Sequence, residues 1–181
     1  LLVSHDWLAL PGGMAARREG TPLIYHVHGL ETGRSSNPNP QIVALEHKGL
    51  EVADLVITVS EAMKRELASQ GISEDKIRVC YHGVDCEFFD PEKVDRESLV
   101  ALRERYGFDE DDIVILFVGR LEPVKGIREL FSALPSVQSE HSRVKLLVLG
   151  VGSLDGWAKV EAERQGNITL VTDFVDAEEK R

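Results

Sequence analysis

Cysteine is almost missing from this 181-residue sequence, which holds only Cys80 and Cys86. Two thiols make no disulfide framework, and with no secretory signal in view they are expected to be reduced thiols of a cytoplasmic protein. Long apolar runs are also missing: none approaches the roughly 18 residues that a membrane-spanning helix needs. Positive charge is scarce. Lys and Arg total 21 against 31 Asp and Glu, a net −10 shared evenly between residues 1–90 and 91–181. Composition marks no basic face, which argues against a nucleic-acid partner. An anionic ligand has to be held by a few placed cations against an unfavourable field. No Gly-Lys-Ser/Thr completes a Walker A loop, and no Gly-x-Gly-x-x-Gly opens a helix, so two common nucleotide-binding devices are excluded. The first residue is not methionine. Leu1-Leu2-Val3 reads as the tail of a strand, and the charged run 176–181 ends without a closing element, so both ends are expected to be cuts through a longer protein.

What is present is a regular alternation, with 43% apolar residues to build cores. Strands are expected at 23–27, 55–59, 77–80, 113–118, 144–149 and 168–171. Helices are expected near 41–53, 61–69, 96–106, 127–139 and 157–165. Ser60 can cap the helix that Gly71 closes. Runs such as Leu55 to Val59 and Ile113 to Val118 are almost wholly apolar, as expected of strands covered on both faces. Strand–helix–strand repeats argue for an α/β protein with parallel sheets. The pattern stops near Gly83 and restarts at Ile113, which argues for two sheets: one domain over 1–90, a linker with a charged helix over 91–112, and a second domain over 113–181.

In such folds ligands bind beyond the carboxyl ends of the strands. Gly119 stands there after the strand at 113–118, followed by Arg120, Lys125 and Gly126 at the start of the next helix. Free amides and fixed cations favour phosphate at such a place, although two solvated surface cations would read the same way. His28, after the strand at 23–27, can donate to a sugar hydroxyl or cap the strand. Asp6 in His5-Asp6-Trp7 can accept a hydroxyl or cap a helix. His26-x-His28 invites a metal reading, but no third ligand follows at a recognisable spacing, and no metal is expected. His82-Gly83 ends the strand at Cys80 and could be a plain turn. Glu46 sits on a helix as either a solvated or an ion-paired residue. Gly150-Val151-Gly152 lets backbone approach a ligand, on weak grounds.

These pieces, in order, resemble the retaining glycosyltransferases of family 4, which include glycogen synthases, sucrose-phosphate synthases and mannosyltransferases. The resemblance rests on His5-Asp6-Trp7, on Pro22 through His28-Gly29, and on Ala53-Asp54-Leu55-Val56-Ile57-Thr58-Val59-Ser60. It continues through His82-Gly83-Val84-Asp85, where the family has Asn in place of His82. Phe117-Val118-Gly119-Arg120-Leu121 with Lys125-Gly126 is its most specific part. Leu147-Val148-Leu149-Gly150-Val151-Gly152 and Asp173-Phe174-Val175 complete it, with Asp173 where the family usually has Gly.

The resemblance implies a GT-B fold, two Rossmann-like parallel-sheet domains, both incomplete here. It implies retaining, metal-independent transfer of a hexose from a UDP-, ADP- or GDP-sugar to a sugar or glycan hydroxyl, with no cofactor. Gly119, Arg120, Lys125 and Gly126 would hold the donor diphosphate. His28 would lie near the transferred sugar, and Asp6 near its hydroxyls or the acceptor. His82, Gly83, Gly150, Gly152 and the backbone near Val175 would meet the nucleotide or sugar. The family's glycine-rich loop is expected before Leu1 and its glutamate pair after Arg181, so the piece is expected to be inactive alone. Peripheral membrane contact of the full-length protein is left open. A non-catalytic sugar-nucleotide-binding module and a sugar-nucleotide epimerase of the same fold remain as alternatives.

Overall fold

The strand–helix alternation is present in the computed structural model, which describes residues 1–173 and 175–180. Phe174 and Arg181 therefore lie outside the described residues. The chain divides into two compact units, Leu1–Val84 and Asp85–Arg181. Among the described residues no helix is long and apolar enough to cross a membrane.

The first unit runs β1 (Leu2–His5), α1 (Asp6–Ala16), β2 (Leu23–Val27), α2 (Glu31–Arg34), α3 (Pro40–Val52), β3 (Leu55–Thr58), α4 (Glu61–Ser69) and β4 (Ile77–Val79). Its four strands are parallel and lie side by side in chain order. Tyr25 and Val27 of β2, Val56 of β3 and Ile77 of β4 are buried with Leu10 of α1, Leu50 of α3 and Leu67 of α4. The opposite side chains of β2, Ile24 and His26, are only partly covered.

Local chemistry sets the element ends. Asn39 and Ser60 accept amide protons at the starts of α3 and α4. Asp54 acts as a clamp: its carboxylate accepts from the Leu23 amide at 2.7 Å and forms an ion pair with Arg17 at 2.9 Å. The Asp54 amide in turn donates to the Leu23 carbonyl at 2.8 Å. The start of β3 is thus fixed to the start of β2.

Helix α1 is an element that sequence periodicity does not announce, because Pro11, Gly12 and Gly13 fall inside it. Gly13 is needed there, since a Cβ would lie 2.0 Å from Ser4 Oγ. Gly49 serves the same purpose on α3, where a Cβ would lie 2.3 Å from Leu10 Cδ2. The two helices and the sheet meet through these positions.

The second unit runs α5 (Arg96–Arg105), β5 (Ile113–Val118), α6 (Ile127–Glu140), β6 (Val144–Leu149), α7 (Asp155–Gln165), β7 (Ile168–Val171) and α8 (Ala177–Lys180). Its three strands are parallel in the order β5-β6-β7. One face of β6, formed by Val144, Leu146 and Val148, packs on Phe131 of α6 and Ala158 of α7. The other face, formed by Leu147 and Leu149, packs on Phe108 and Val175. Burial on both faces is why Leu146 to Leu149 of β6 read as a continuous apolar run; β5, expected to be covered on both faces, instead leaves Ile113, Leu116 and Val118 exposed.

The stretch 91–112, expected as a linker, belongs to the second unit. Arg103 donates to the carbonyls of Asp109 and Asp112, and Thr169 Oγ1 donates to the Tyr106 carbonyl at 3.2 Å. The Lys145 ammonium lies 2.7 Å from the Asp112 carboxylate and holds it below the usual carboxylate range. The charged composition of this stretch conceals Tyr106 and Phe108, the residues that anchor it.

Candidate functional site

The carboxyl ends of β5, β6 and β7 surround a cavity of about 370 Å³. Val118, Gly119 and Arg120 line it from the first strand and its loop. Leu149, Gly150 and Val151 line it from the second, and Asp173 and Val175 from the segment after β7. The Gly119 amide donates to Leu149 and the Gly150 amide to Val171, both at 3.0 Å, so the ladder continues into the rim. A largely apolar wall that includes the Arg120 guanidinium and the Asp173 carboxylate suits a ligand that carries a flat apolar group together with polar groups, one of them anionic.

Gly150 and Gly152 are required by the loop that faces them. A Cβ on Gly150 would lie 1.8 Å from the Gly119 carbonyl oxygen, and one on Gly152 would lie 2.5 Å from that of Leu121. The Leu121 amide donates to Val151 and its carbonyl accepts from Leu154, which locks the two loops together. Gly150 lines the cavity and Gly152 does not.

Lys125 and Gly126 lie further along. Pro123–Lys125 form a 3-10 turn, and Gly126 follows with φ 71, a left-handed conformation that glycine adopts without strain, to begin α6. Arg120 is therefore at the cavity wall, whereas Lys125 is exposed on the turn next to it. Between them Glu122 accepts from the Ser153 hydroxyl and amide, which hold its carboxyl below the usual range. That bond fixes the turn to the loop after β6.

The first unit gathers a second constellation at the carboxyl end of its sheet. Register sets His5 of β1 beside His26 of β2. His28 lies two residues beyond His26, on the same face, and the two rings stack with centroids 4.2 Å apart. His5 Nδ1 lies 2.9 Å from His28 Nε2, and His28 Nδ1 lies 3.2 Å from His82 Nε2. Partial burial, and then the neighbouring imidazoles, push the pKa of His26 down. Its Nε2 is buried and has no hydrogen-bond partner among the described residues.

Asp6 opens α1 with φ 52, a conformation unusual for a residue with a side chain. One carboxylate oxygen accepts from the His28 amide at 2.8 Å, and the other pairs with Arg34 at 3.0 Å. Arg34 also donates to the Gly29 carbonyl. Glu46 is buried, and both its oxygens accept from the Glu31 amide, at 3.0 and 3.1 Å. Burial raises its pKa.

Of the residues singled out in the sequence, the structure thus brings Asp6, His28 and His82 together in one unit. It brings Gly119, Arg120, Gly150 and Val175 together in the other. Gly83 is exposed, with open space around it. Sequence reasoning missed Arg34 as the partner of Asp6, and His5 as a member of the histidine cluster. The signal for His5 was the adjacency of two strand ends, which spacing along the chain does not encode.

Residues 1–88 match the model of Glycosyltransferase Family 4, and residues 101–179 that of Glycosyl transferases group 1. An uncharacterized glycosyltransferase of Methanocaldococcus jannaschii is 33% identical over 156 residues, covering 83% of this chain and 40% of that protein. A glycogen synthase of Mycobacterium tuberculosis is 30% identical over 181 residues, covering 95% of this chain and 40% of its own length. Among solved structures, an Anabaena protein crystallised with UDP-glucose superposes with a TM-score of 0.76 at 22% identity, over 98% of this chain and 50% of that one. The chain therefore spans about half or less of the length of these relatives.

Proposed function

We propose that this chain, which belongs to the GT-B glycosyltransferases, supplies the donor-diphosphate grip and a sugar-facing histidine for a whole protein that transfers a hexose. The donor is a nucleotide-diphosphate sugar, the acceptor is a hydroxyl of a sugar or glycan, and the anomeric configuration is retained. The observation that carries this reading is the cavity at the ends of β5, β6 and β7, whose wall is apolar apart from Arg120 and Asp173. The nucleoside fits the apolar part near Val175, and the diphosphate fits Arg120 and the exposed Lys125.

The chemistry follows from charge. As the bond from anomeric carbon to phosphate oxygen breaks, the sugar becomes oxocarbenium-like and negative charge grows on the leaving diphosphate. The two cations stabilise that charge in the transition state more than in the bound donor, which is what lowers a barrier. They do so without calling on a divalent cation at the diphosphate. His28 offers Nε2 to a hydroxyl of the sugar by exchanging its contact with His5. The Asp6 carboxylate, already held by Arg34 and the His28 amide, is a fixed acceptor for a hydroxyl.

The test is donor turnover by the whole protein after Arg120→Ala and Lys125→Ala. Each is expected to lower kcat on the order of 100- to 1,000-fold, as for a lost oxyanion donor. Unchanged kcat in both variants refutes the assignment. UDP-, ADP- and GDP-hexoses are compared in the same assay, because the cavity residues do not fix the base. The relatives include a glycogen synthase and D-inositol 3-phosphate glycosyltransferases, so acceptors of both kinds belong in the screen.

A further inference from the structure

The diphosphate grip leaves unexplained why so many imidazoles meet at one sheet end of the other unit. We propose that His5, His26 and His28 form a site for a divalent transition-metal ion of the zinc class, with His82 as the outer partner that orients His28. One ring nitrogen from each of the three lies within 4.8 Å of those of the other two. The arrangement is built by the backbone: parallel register puts His5 beside His26, and the two-residue strand period puts His28 on the same face as His26.

Two details separate this cluster from a chance stack. The first is His26 Nε2, buried and without a hydrogen-bond partner among the described residues. A buried polar atom left in that state is costly, and an ion removes the cost. The second is the chain of contacts through His28. Its Nε2 faces His5 Nδ1 at 2.9 Å, while its Nδ1 faces His82 Nε2 at 3.2 Å. With His28 ligating through Nε2, Nδ1–H donates to His82, the outer-shell pattern that fixes the tautomer of a metal-bound histidine.

Ligand chemistry selects the ion. Imidazole nitrogens suit Zn²⁺, Co²⁺, Ni²⁺ and Cu²⁺ rather than Mg²⁺ or Ca²⁺, and three of them leave a fourth position open. Tetrahedral zinc at about 2.0–2.1 Å from each nitrogen places its ligands roughly 3.3 Å apart, so the rings must draw in by about 1 Å or more. His5 is the exposed member of the three, so its ring has open space on one side in which to shift. On the role of His28 proposed above, on which this consequence rests, a seated ion takes its Nε2 from the sugar, and Zn²⁺ inhibits transfer reversibly.

The experiment uses the whole protein without a polyhistidine tag and without donor, so that its failure is distinct from failure of the transfer reading. Co²⁺ is titrated while visible absorption is recorded, and Zn²⁺ is then added as competitor. One Co²⁺ per chain is expected, with the intense bands of four- or five-coordinate nitrogen ligation, displaced by an equivalent of Zn²⁺. His5→Gln and His26→Gln each abolish the bands, and His82→Gln weakens binding about 10- to 100-fold. His47→Gln and His141→Gln, at exposed histidines outside the cluster, leave it unchanged. His5→Gln decides the matter should His26→Gln fail to fold, because an exposed side chain can change without loss of the core. That variant keeps its metal-free melting temperature and loses the rise that Zn²⁺ gives the parent. Absence of stoichiometric binding, survival of the bands in His5→Gln, or their loss in His47→Gln or His141→Gln overturns the proposal.

Discussion

Alanine at Gly150 is expected to damage the cavity without touching any charged residue. A Cβ there would lie 1.8 Å from the Gly119 carbonyl oxygen and 3.0 Å from its carbon. The obstacle is backbone, so no rotamer change relieves it. The β5 loop has to retreat by more than about 1 Å, an overpacking change that costs about 1–3 kcal/mol. The bonds from Gly119 to Leu149 and from Leu121 to Val151, each 3.0 Å, resist the move. For a unit of this size that cost lowers the melting temperature by roughly 5–20 °C. The retreat carries Arg120 with it, and a 1 Å misplacement of a positioning group can cost about 100-fold in rate. The assay is donor turnover by the whole protein, run beside thermal melting. Gly156→Ala is the control: it lies on α7 with nothing within 4 Å of an added Cβ, and it should be neutral or gain up to about 1 kcal/mol. A Gly150→Ala variant with parental melting and parental turnover would refute the reasoning, since the loop would then tolerate what its backbone geometry forbids.

Gly49→Ala should lower the melting temperature of the first unit, because its Cβ would meet fully buried Leu10 at 2.3 Å and Tyr25 at 3.1 Å. The overpacking cost of about 1–3 kcal/mol exceeds the helix-propensity gain of about 1 kcal/mol, and a raised melting temperature would contradict this. Asp54→Asn tests the β2–β3 clamp through pH. The Leu23 amide, and then Arg17, lower the pKa of Asp54 in the folded state. Its contribution is therefore complete above the unfolded value of about 3.9 and is lost as pH falls through the folded value. Melting temperatures of the parent and the Asp54→Asn variant should differ at neutral pH and converge below about pH 4, whereas a pH-independent gap would remove Asp54 from the account.

Strands β5, β6 and β7 were legible to the residue, because their side chains are apolar in long runs and the glycines or polar residues that follow mark their ends. In β6 burial on two faces leaves little room for a competing pattern, whereas β5 keeps its apolar run with Ile113, Leu116 and Val118 exposed. Helix α1 was not legible: Pro11, Gly12 and Gly13 oppose helix by propensity, and the contact of Gly13 with Ser4 that favours it is tertiary. Residues 91–112 looked like a linker because charge dominates their composition, while two aromatic side chains decide where they belong. The same distinction separates the two parts of the candidate site. Arg120 reaches a strand end by sequence adjacency to an unmistakable strand, so the sequence could suggest its place. His5 reaches His26 only through the pairing of Leu2 with Leu23, a register held in part by the Leu2 amide on the Pro22 carbonyl. Nothing in a spacing of two strand ends along the chain specifies that register. A slip of one residue would turn His26 to the opposite face and disperse the cluster. The imidazole site is therefore a property of pairing rather than of motif, which is why a search for a third ligand at a fixed spacing passes it by.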